Sequence, residues 1–359
     1  MSDPLASSAS ATVAEMTRDA LALAPCTDPA DWNAFVAASP QSTVFCRAPF
    51  LGALGLRHEL WWVTERGTPR LGAVIVKDDA GVPLRAPFPL SLYQGLLLHP
   101  AHAALPVHSR VPWTMALVER LLGGLEVSHD RLSFCLHPSF EDARAFSWFH
   151  YHEPQRGRFR IELYYTGWID LASPRSFDEF LSSIRETRRH EYRRALAAGL
   201  TVEPSKDVDM LAALYRETFS RQGIDVDPAA DRRLRAVAAS ALAEGYGELL
   251  LCRTPAGEAA SATLFLYDER CGYYLLGANH PAHRRSGAGT FLVLQHIRRC
   301  RDRGLQRVDV CGMNSPNRGD FKASFNAVPV PYFVVIWDSP PRTACMEPRE
   351  TQRLKEVDP

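Results

Sequence analysis

Between Gln306 and Ala327 the chain reads QRVDVCGMNSPNRGDFKASFNA, and no other stretch limits the available folds as strongly. Val308 and Val310 alternate with Asp309 and Cys311, the period of a half-buried strand over Arg307–Cys311. Gly312 ends it. Asn314-Ser315-Pro316-Asn317-Arg318-Gly319 follows, a run of residues that interrupt regular structure. Asp320 to Phe325 then reads as the first turns of a helix, with Asp320 as its expected N-cap. A strand end, a glycine-containing turn and a helix start leave backbone N–H groups facing outward, where a ligand can be held. Phe321 and Lys322 are expected at the mouth of such a site.

The elements around this stretch follow from periodicity. Ser176–Ala198 predicts one long helix, because Phe177, Phe180, Leu181 and Ile184 recur at helical spacing, and Gly199 is a natural stop. Further helices are expected over Val208–Arg221, Asp231–Glu244 and Gly287–Arg303. Strands are expected at Glu248–Cys252, Ala260–Tyr267, Gly272–Leu276 and Tyr332–Ile336. In the first half, Asp31–Ala38 and Val111–Leu122 read as helices. His58–Thr64 and Leu71–Lys77 read as strands around the turn Arg66-Gly67-Thr68-Pro69, and Leu132–Leu136 as another. Phe159–Leu171 reads as a strand pair crossing between the halves, and Pro87–Leu98, with its Pro, Tyr and Gly, as a cleft lining.

A chain of 359 residues, 46% hydrophobic and 23% charged, suits two domains, each with a core of its own. No apolar run reaches the roughly 20 residues that span a bilayer, and the N-terminus lacks the basic-then-apolar pattern of a secretory signal. The eight cysteines have no CxxC spacing, so neither a zinc site nor a disulfide framework is expected, and a reducing, cytoplasmic setting fits. With 41 basic and 41 acidic residues the chain lacks the basic excess usual in nucleic-acid-binding proteins, so any RNA contact must be local.

The strand–Gly–turn–Phe-Lys-x-x-Phe pattern followed by Pro331-Tyr332 resembles the C-terminal domain of the FemABX-like proteins. These form the non-ribosomal aminoacyl transferase branch of the GNAT-type acyltransferases, which includes the BioF-like acetyltransferase domains. The resemblance runs from about Thr166 to Trp337, and from Asp28 to Leu163 it rests on layout. It implies an α+β (α/β) fold of two tandem GNAT-like domains, each a mixed, mostly antiparallel central sheet flanked by helices. The expected divisions are a disordered leader over 1–25, an N-terminal GNAT-like domain over 26–165, a C-terminal FemABX-like domain over 166–339 and a tail over 340–359. In the family the lysine of the Phe-Lys pair lies against the reacting ester of the donor, which carries over to Lys322 as catalytic and Phe321 as donor-binding.

Other candidates stand beside that pair. Arg284-Arg285-Ser286-Gly287-Ala288-Gly289 leads into a helix and resembles the pyrophosphate loop of acetyl-CoA-dependent GNATs. Small residues let a phosphate approach the N–H groups of a helix start, and arginines add charge. The plainer reading is an ordinary glycine loop. Arg185, Arg188, Arg189 and Arg193 form an arginine-rich helix face for the phosphates of tRNA, CoA or a nucleotide-linked acceptor, or, with Glu186 and Glu191 among them, a solvated face of ion pairs. His280, His283, Asp309 and Tyr274 are candidates for a general base, and Cys311 for a covalent acyl carrier, although a buried strand cysteine is the plainer reading. No nucleophile elbow and no metal-spaced cluster is present.

These readings converge on an N-acyl or aminoacyl transferase that forms an amide by direct attack of an amine on an activated acyl donor. Aminoacyl-tRNA is favoured as donor over acyl-CoA, with no bound cofactor. The acceptor is an amine on a small molecule, a peptide or a peptidoglycan precursor. The alternative of another class is a non-catalytic protein that holds a nucleotide-linked ligand or RNA in the same cleft.

Overall fold

The computed structural model describes residues 20–220 and 223–340. The expected tail beyond 340 and most of the expected leader lie outside the described residues, but Leu21–Pro25, taken as leader, is a strand, β1. It pairs antiparallel with β2 (Arg57–Glu65), which continues to β3 (Thr68–Lys77) and β4 (Leu96–Leu98) in the order β1-β2-β3-β4. The β2–β3 turn is tighter than expected. Glu65 pairs with Thr68, leaving only Arg66 and Gly67 in the loop, both at positive φ (50° and 83°). Such a turn matches the strand twist, and Gly67 makes it accessible. Helix α1 (Pro29–Ala38) begins where Asp28 accepts a hydrogen bond from the Ala30 N–H. Two further helices, α2 (Ala48–Ala53) and α3 (Val107–Leu125), belong to this half. Leu117, Leu121 and Leu125 of α3 recur at helical spacing and are fully buried against the sheet.

The second sheet has eight strands. β5 (Arg131–Cys135) belongs to the first half of the chain and is followed by the short helix α4 (Arg144–Trp148). The expected strand pair at 159–171 is one continuous strand, β6 (Arg160–Asp170). The expected helix at 176–198 is broken into α5 (Phe177–Ser183) and α6 (Glu186–Ala197). Ile184 leaves the helix to bury its side chain beside Phe180, and the Arg185 N–H bonds to Ser324 O at 3.0 Å in place of a helical carbonyl. Arg185 therefore precedes α6, and the face expected for Arg185, Arg189 and Arg193 is interrupted.

There follow β7 (Thr201–Ser205), α7 (Val208–Ser220), α8 (Pro228–Ala243), β8 (Gly247–Arg253), β9 (Ala259–Tyr267) and β10 (Cys271–Asn279). The chain ends its described part with α9 (Ala288–Asp302), β11 (Arg307–Asp309), α10 (Pro316–Ala323) and β12 (Val328–Asp338). The sheet order is β5-β12-β6-β11-β10-β9-β8-β7. β7, which sequence reasoning missed, contains Pro204, tolerated because the strand lies at the sheet edge. β12 starts earlier than expected and includes Pro329 and Pro331. Its pairing with β5 covers only Val334–Asp338, so the prolines leave no donor missing on that side.

The two halves share one core. Trp32, Phe45 and Phe50 of the first half pack with Leu264, Tyr273 and Tyr332 of the second, and the rings of Phe45 and Tyr273 meet edge-on at 5.1 Å. On the opposite face of the large sheet, Phe180 and Ile184 pack with Phe265, Val293, Leu294 and Phe325.

Candidate active site

The site is set by one ladder. Among the described residues every strand pairing is antiparallel except β10–β11, which is parallel and lasts only from Cys271–Arg307 to Tyr273–Asp309. Beyond it a bulge between Tyr274 and Leu276 bends β10 away, and β11 ends at Asp309, two residues sooner than expected. Cys311 and Gly312 then turn through positive φ (56° and 90°). A β-carbon makes this region costly for Cys311, so other contacts must hold it there.

Helix α10 closes the opening. Its N-cap is Ser315 with Pro316 at the first position, not Asp320. Proline suits that place because the first turn has no use for its missing N–H. Asp320 instead lies inside the helix and makes two hydrogen bonds of 2.8 Å to Arg185. Lys322, in the last turn of the helix, points back at the Cys311-Gly312 turn. Its Nζ donates to Cys311 O at 3.0 Å and Gly312 O at 2.7 Å, and lies 5.8 Å from the centre of the Tyr274 ring. Burial lowers the pKa of Lys322 against the opposing pull of Cys311 and Asp309. Only four residues of this arginine-rich chain are lysines (Lys77, Lys206, Lys322 and Lys355). That scarcity is a signal sequence reading could have used, since a compact ammonium at Lys322 stands where the chain elsewhere uses guanidinium.

Phe321 lies beside Lys322. The Arg188 guanidinium sits 5.0 Å over its ring, and Phe325 meets it edge-on at 5.1 Å. Arg188 connects this pair to the glycine loop. Its Nη1 donates to Glu191 at 2.6 Å and to Thr290 Oγ1 at 3.1 Å, and Thr290 in turn donates to Glu191 at 2.5 Å. The loop glycines serve this packing. A β-carbon on Gly287, the N-cap of α9 at φ 89°, would stand 2.3 Å from Glu191 O, and one on Gly289 would stand 2.7 Å from Asn279 Oδ1. Helix α6 thus lies across the N-terminus of α9, and the Glu191 carboxylate bonds to Thr290 in its first turn.

The structure therefore brings Phe321, Lys322, Arg188, Gly287 and Gly289 into one continuous set of contacts. Arg284 and Arg285 do not join it. Their side chains are exposed on the outside of the loop, and Arg285 O accepts from Arg194 at 3.0 Å. Arg189 donates to Ser182 O at 2.6 Å and, with Arg193, lines a separate cleft of ≈ 280 Å³ between α5 and α6.

The candidate bases make contacts of their own or are held protonated. His283 bonds to Glu258 at 3.1 Å, and His280 accepts from the Ala282 N–H of its own turn. Burial pushes the Tyr274 hydroxyl up to about 12, and burial followed by the Asp309 charge pushes the Cys311 thiol well above its usual range. Asp309 is itself buried and accepts from four donors: Tyr93 Oη at 2.9 Å, Trp168 Nε1 at 3.0 Å, Thr166 Oγ1 at 2.5 Å and the Cys311 N–H at 2.7 Å. Tyr93, Thr166 and Trp168 were not singled out from sequence. Thr166 and Trp168 alternate on β6, a period-two pattern that puts both on one face. Tyr93 lies in the Pro87–Leu98 stretch expected to line a cleft, but is itself buried. Among the described residues, no group of three or more His, Cys, Asp or Glu could hold a metal ion, and the seven described cysteines are free thiols.

Residues 182–323 match the family model described as an acetyltransferase (GNAT) domain. Among solved structures, FemX superposes over 87% of this chain and 96% of its own, with 13% identity and a TM-score of 0.64. A tandem GNAT protein from the clavulanic acid biosynthesis pathway, solved without AcCoA, covers 90% of this chain and 100% of its own at 14% identity and a TM-score of 0.51. A conserved protein of unknown function from Bacteroides thetaiotaomicron covers 89% and 100% at 10% identity and a TM-score of 0.55. No curated protein matches the chain. Identities this low speak to the fold, and the fold is the tandem GNAT arrangement that the sequence resemblance implied. Residues 182–323 thus form a GNAT-type domain, and the chain as a whole folds like FemX and the tandem GNAT protein. No helix among the described residues is long and apolar enough to cross a membrane.

Proposed function

We propose that the protein transfers an aminoacyl group from aminoacyl-tRNA to an acceptor amine, with Lys322 stabilising the oxyanion. The observation that carries the choice of donor is the seating of α6 on the N-terminus of α9. A CoA pyrophosphate needs the open N–H groups and positive end of a helix at such a place. Here the Glu191 backbone packs against Gly287 and its carboxylate, paired with Arg188, bonds to Thr290 in the first turn, which leaves little room for a pyrophosphate. A donor that presents its ester at Lys322 without a pyrophosphate at α9 fits better.

The chemistry needs little else. The amine lone pair attacks the ester carbonyl carbon, a C–N bond forms and the carbonyl oxygen becomes an oxyanion. When the C–O bond breaks, the ribose oxygen leaves with the electron pair and takes up the proton the amine gives up, so no enzyme base is required. An ammonium has three donors. Two of those of Lys322 go to the Cys311 and Gly312 carbonyls, which leaves one for the oxyanion.

Calorimetry with acetyl-CoA and with charged tRNA at two salt concentrations tests the donor. The expected result is binding of charged tRNA that weakens as salt rises, through phosphate contacts, and no saturable heat with acetyl-CoA. Tight acetyl-CoA binding overturns the choice of donor and makes the acyl-CoA reading the correct one.

The lowered pKa of Lys322 adds a prediction. The ammonium is fully present below that pKa and lost as pH rises through it. The alkaline fall of kcat/KM should therefore begin below the ordinary lysine value of about 10.4. In Lys322→Arg the remaining activity should show no such fall, because a guanidinium stays charged. An alkaline limb at the same pH in both proteins would assign it to another group.

A further inference from the structure

We propose that Tyr93, Asp309 and Thr166 are positioning residues for Lys322, so that the first half of the chain aims the catalytic ammonium of the second. This rests on the role of Lys322 given above. Tyr93 and Asp309 are 216 residues apart in sequence and bonded at 2.9 Å. Both are buried, at 1% exposure each. Asp309 Oδ1 receives the Cys311 N–H at 2.7 Å and Thr166 Oγ1 at 2.5 Å, and Thr166 Oγ1 receives the Gly312 N–H at 3.1 Å. Both N–H groups of the Cys311-Gly312 turn are thus held from one side, and both carbonyls of that turn hold Lys322 Nζ from the other.

Three features set this network apart from ordinary core satisfaction. The carboxylate makes no ion pair within salt-bridge distance among the described residues, although burying a charge is costly; hydrogen bonds satisfy it. Cys311 adopts a backbone conformation that a non-glycine residue rarely takes, and its N–H bond to Asp309 is the contact that fixes it. The turn presents two adjacent carbonyls to one amine, an arrangement that an ordinary strand end, with carbonyls alternating in direction, does not give.

The scarcity of lysine makes a direct test possible. Trace acetylation with acetic anhydride, read by peptide mass spectrometry, reports the reactivity of Lys322, with Lys77 and Lys206 as internal references. In Thr166→Val and Tyr93→Phe the labelling rate of Lys322 should rise about fivefold, the factor typical of one lost hydrogen bond. Lys77 and Lys206 should not change, and Thr166→Ser, which keeps the hydroxyl, should label as the parent does. Turnover should fall in the first two variants with both KM values unchanged, and stay near the parent value in Thr166→Ser. Parent-like labelling of Lys322 in both Thr166→Val and Tyr93→Phe overturns the proposal, as does a parallel rise at Lys77 and Lys206, which would mark general loosening. Labelling requires no transfer reaction. If labelling behaves as expected but Lys322→Ala transfers at the full rate, the oxyanion role fails and the positioning network stands.

Discussion

Replacement of Lys322 by alanine is expected to lower turnover by about 10²–10³-fold, the loss seen when one preorganised oxyanion donor is removed. Donor affinity should change only a few-fold. The difference follows from where the charge develops. The ground-state ester is neutral at the carbonyl, so the ammonium gains most when the tetrahedral oxyanion forms, in a place where burial weakens solvent screening. Its removal also leaves the Cys311 and Gly312 carbonyls without their shared donor. The turn itself should persist, because Asp309 and Thr166 hold its N–H groups independently. Single-turnover kinetics with charged tRNA, alongside the binding constant, separates the two quantities. An unchanged rate would remove Lys322 from the chemistry.

Replacement of Gly287 by valine is expected to damage the fold, not a phosphate site. Sequence alone suggested that a side chain there would block the approach of a phosphate-bearing donor. The structure gives the position a different use: φ is 89°, and the backbone of Glu191 is 2.3 Å from any β-carbon. A β-branched residue at positive φ that also forces α6 away from α9 should cost about 3 kcal/mol. That corresponds to a fall in Tm of roughly 4 °C for a chain of this size. Thermal and urea unfolding would measure it. A Tm within a degree of the parent would mean that α6 does not seal the α9 N-terminus, and would reopen the acyl-CoA reading.

What could be read from the sequence was whatever local periodicity encodes. The alternating valines before Gly312, the helical spacing in α9 and the turn at Arg66-Gly67 each describe neighbours in the chain, and together they gave the order of elements behind the tandem-fold expectation. Errors arose where a distant partner decides. Nothing within Ser176–Ala198 announces a break, because the break is made by Ser324 O and by the pocket that receives Ile184. Asp320 has the chemistry of an N-cap, but Ser315-Pro316 starts the helix sooner and Arg185 engages the aspartate. The glycine loop was legible as a place of close approach. What approaches it, Glu191, was not, since the same pattern serves a phosphate and a packed helix equally well. Tyr93 was hidden for the same reason: its hydroxyl has meaning only once Asp309 stands opposite.

The join between β5 and β12 carries a consequence for synthesis on the ribosome. β12 is among the last described segments to emerge, and it inserts between β5 and β6, both made long before. Until then β5 and the Arg160–Trp168 stretch of β6 lack their β12 partner, and the large sheet cannot close. Pairings of such wide sequence separation form late, and open strand edges invite association with other chains. The nascent protein therefore waits, with β5 unpaired along that side, until Val328–Asp338 has been translated, and acquires the geometry around Lys322 only after that closing strand is in place.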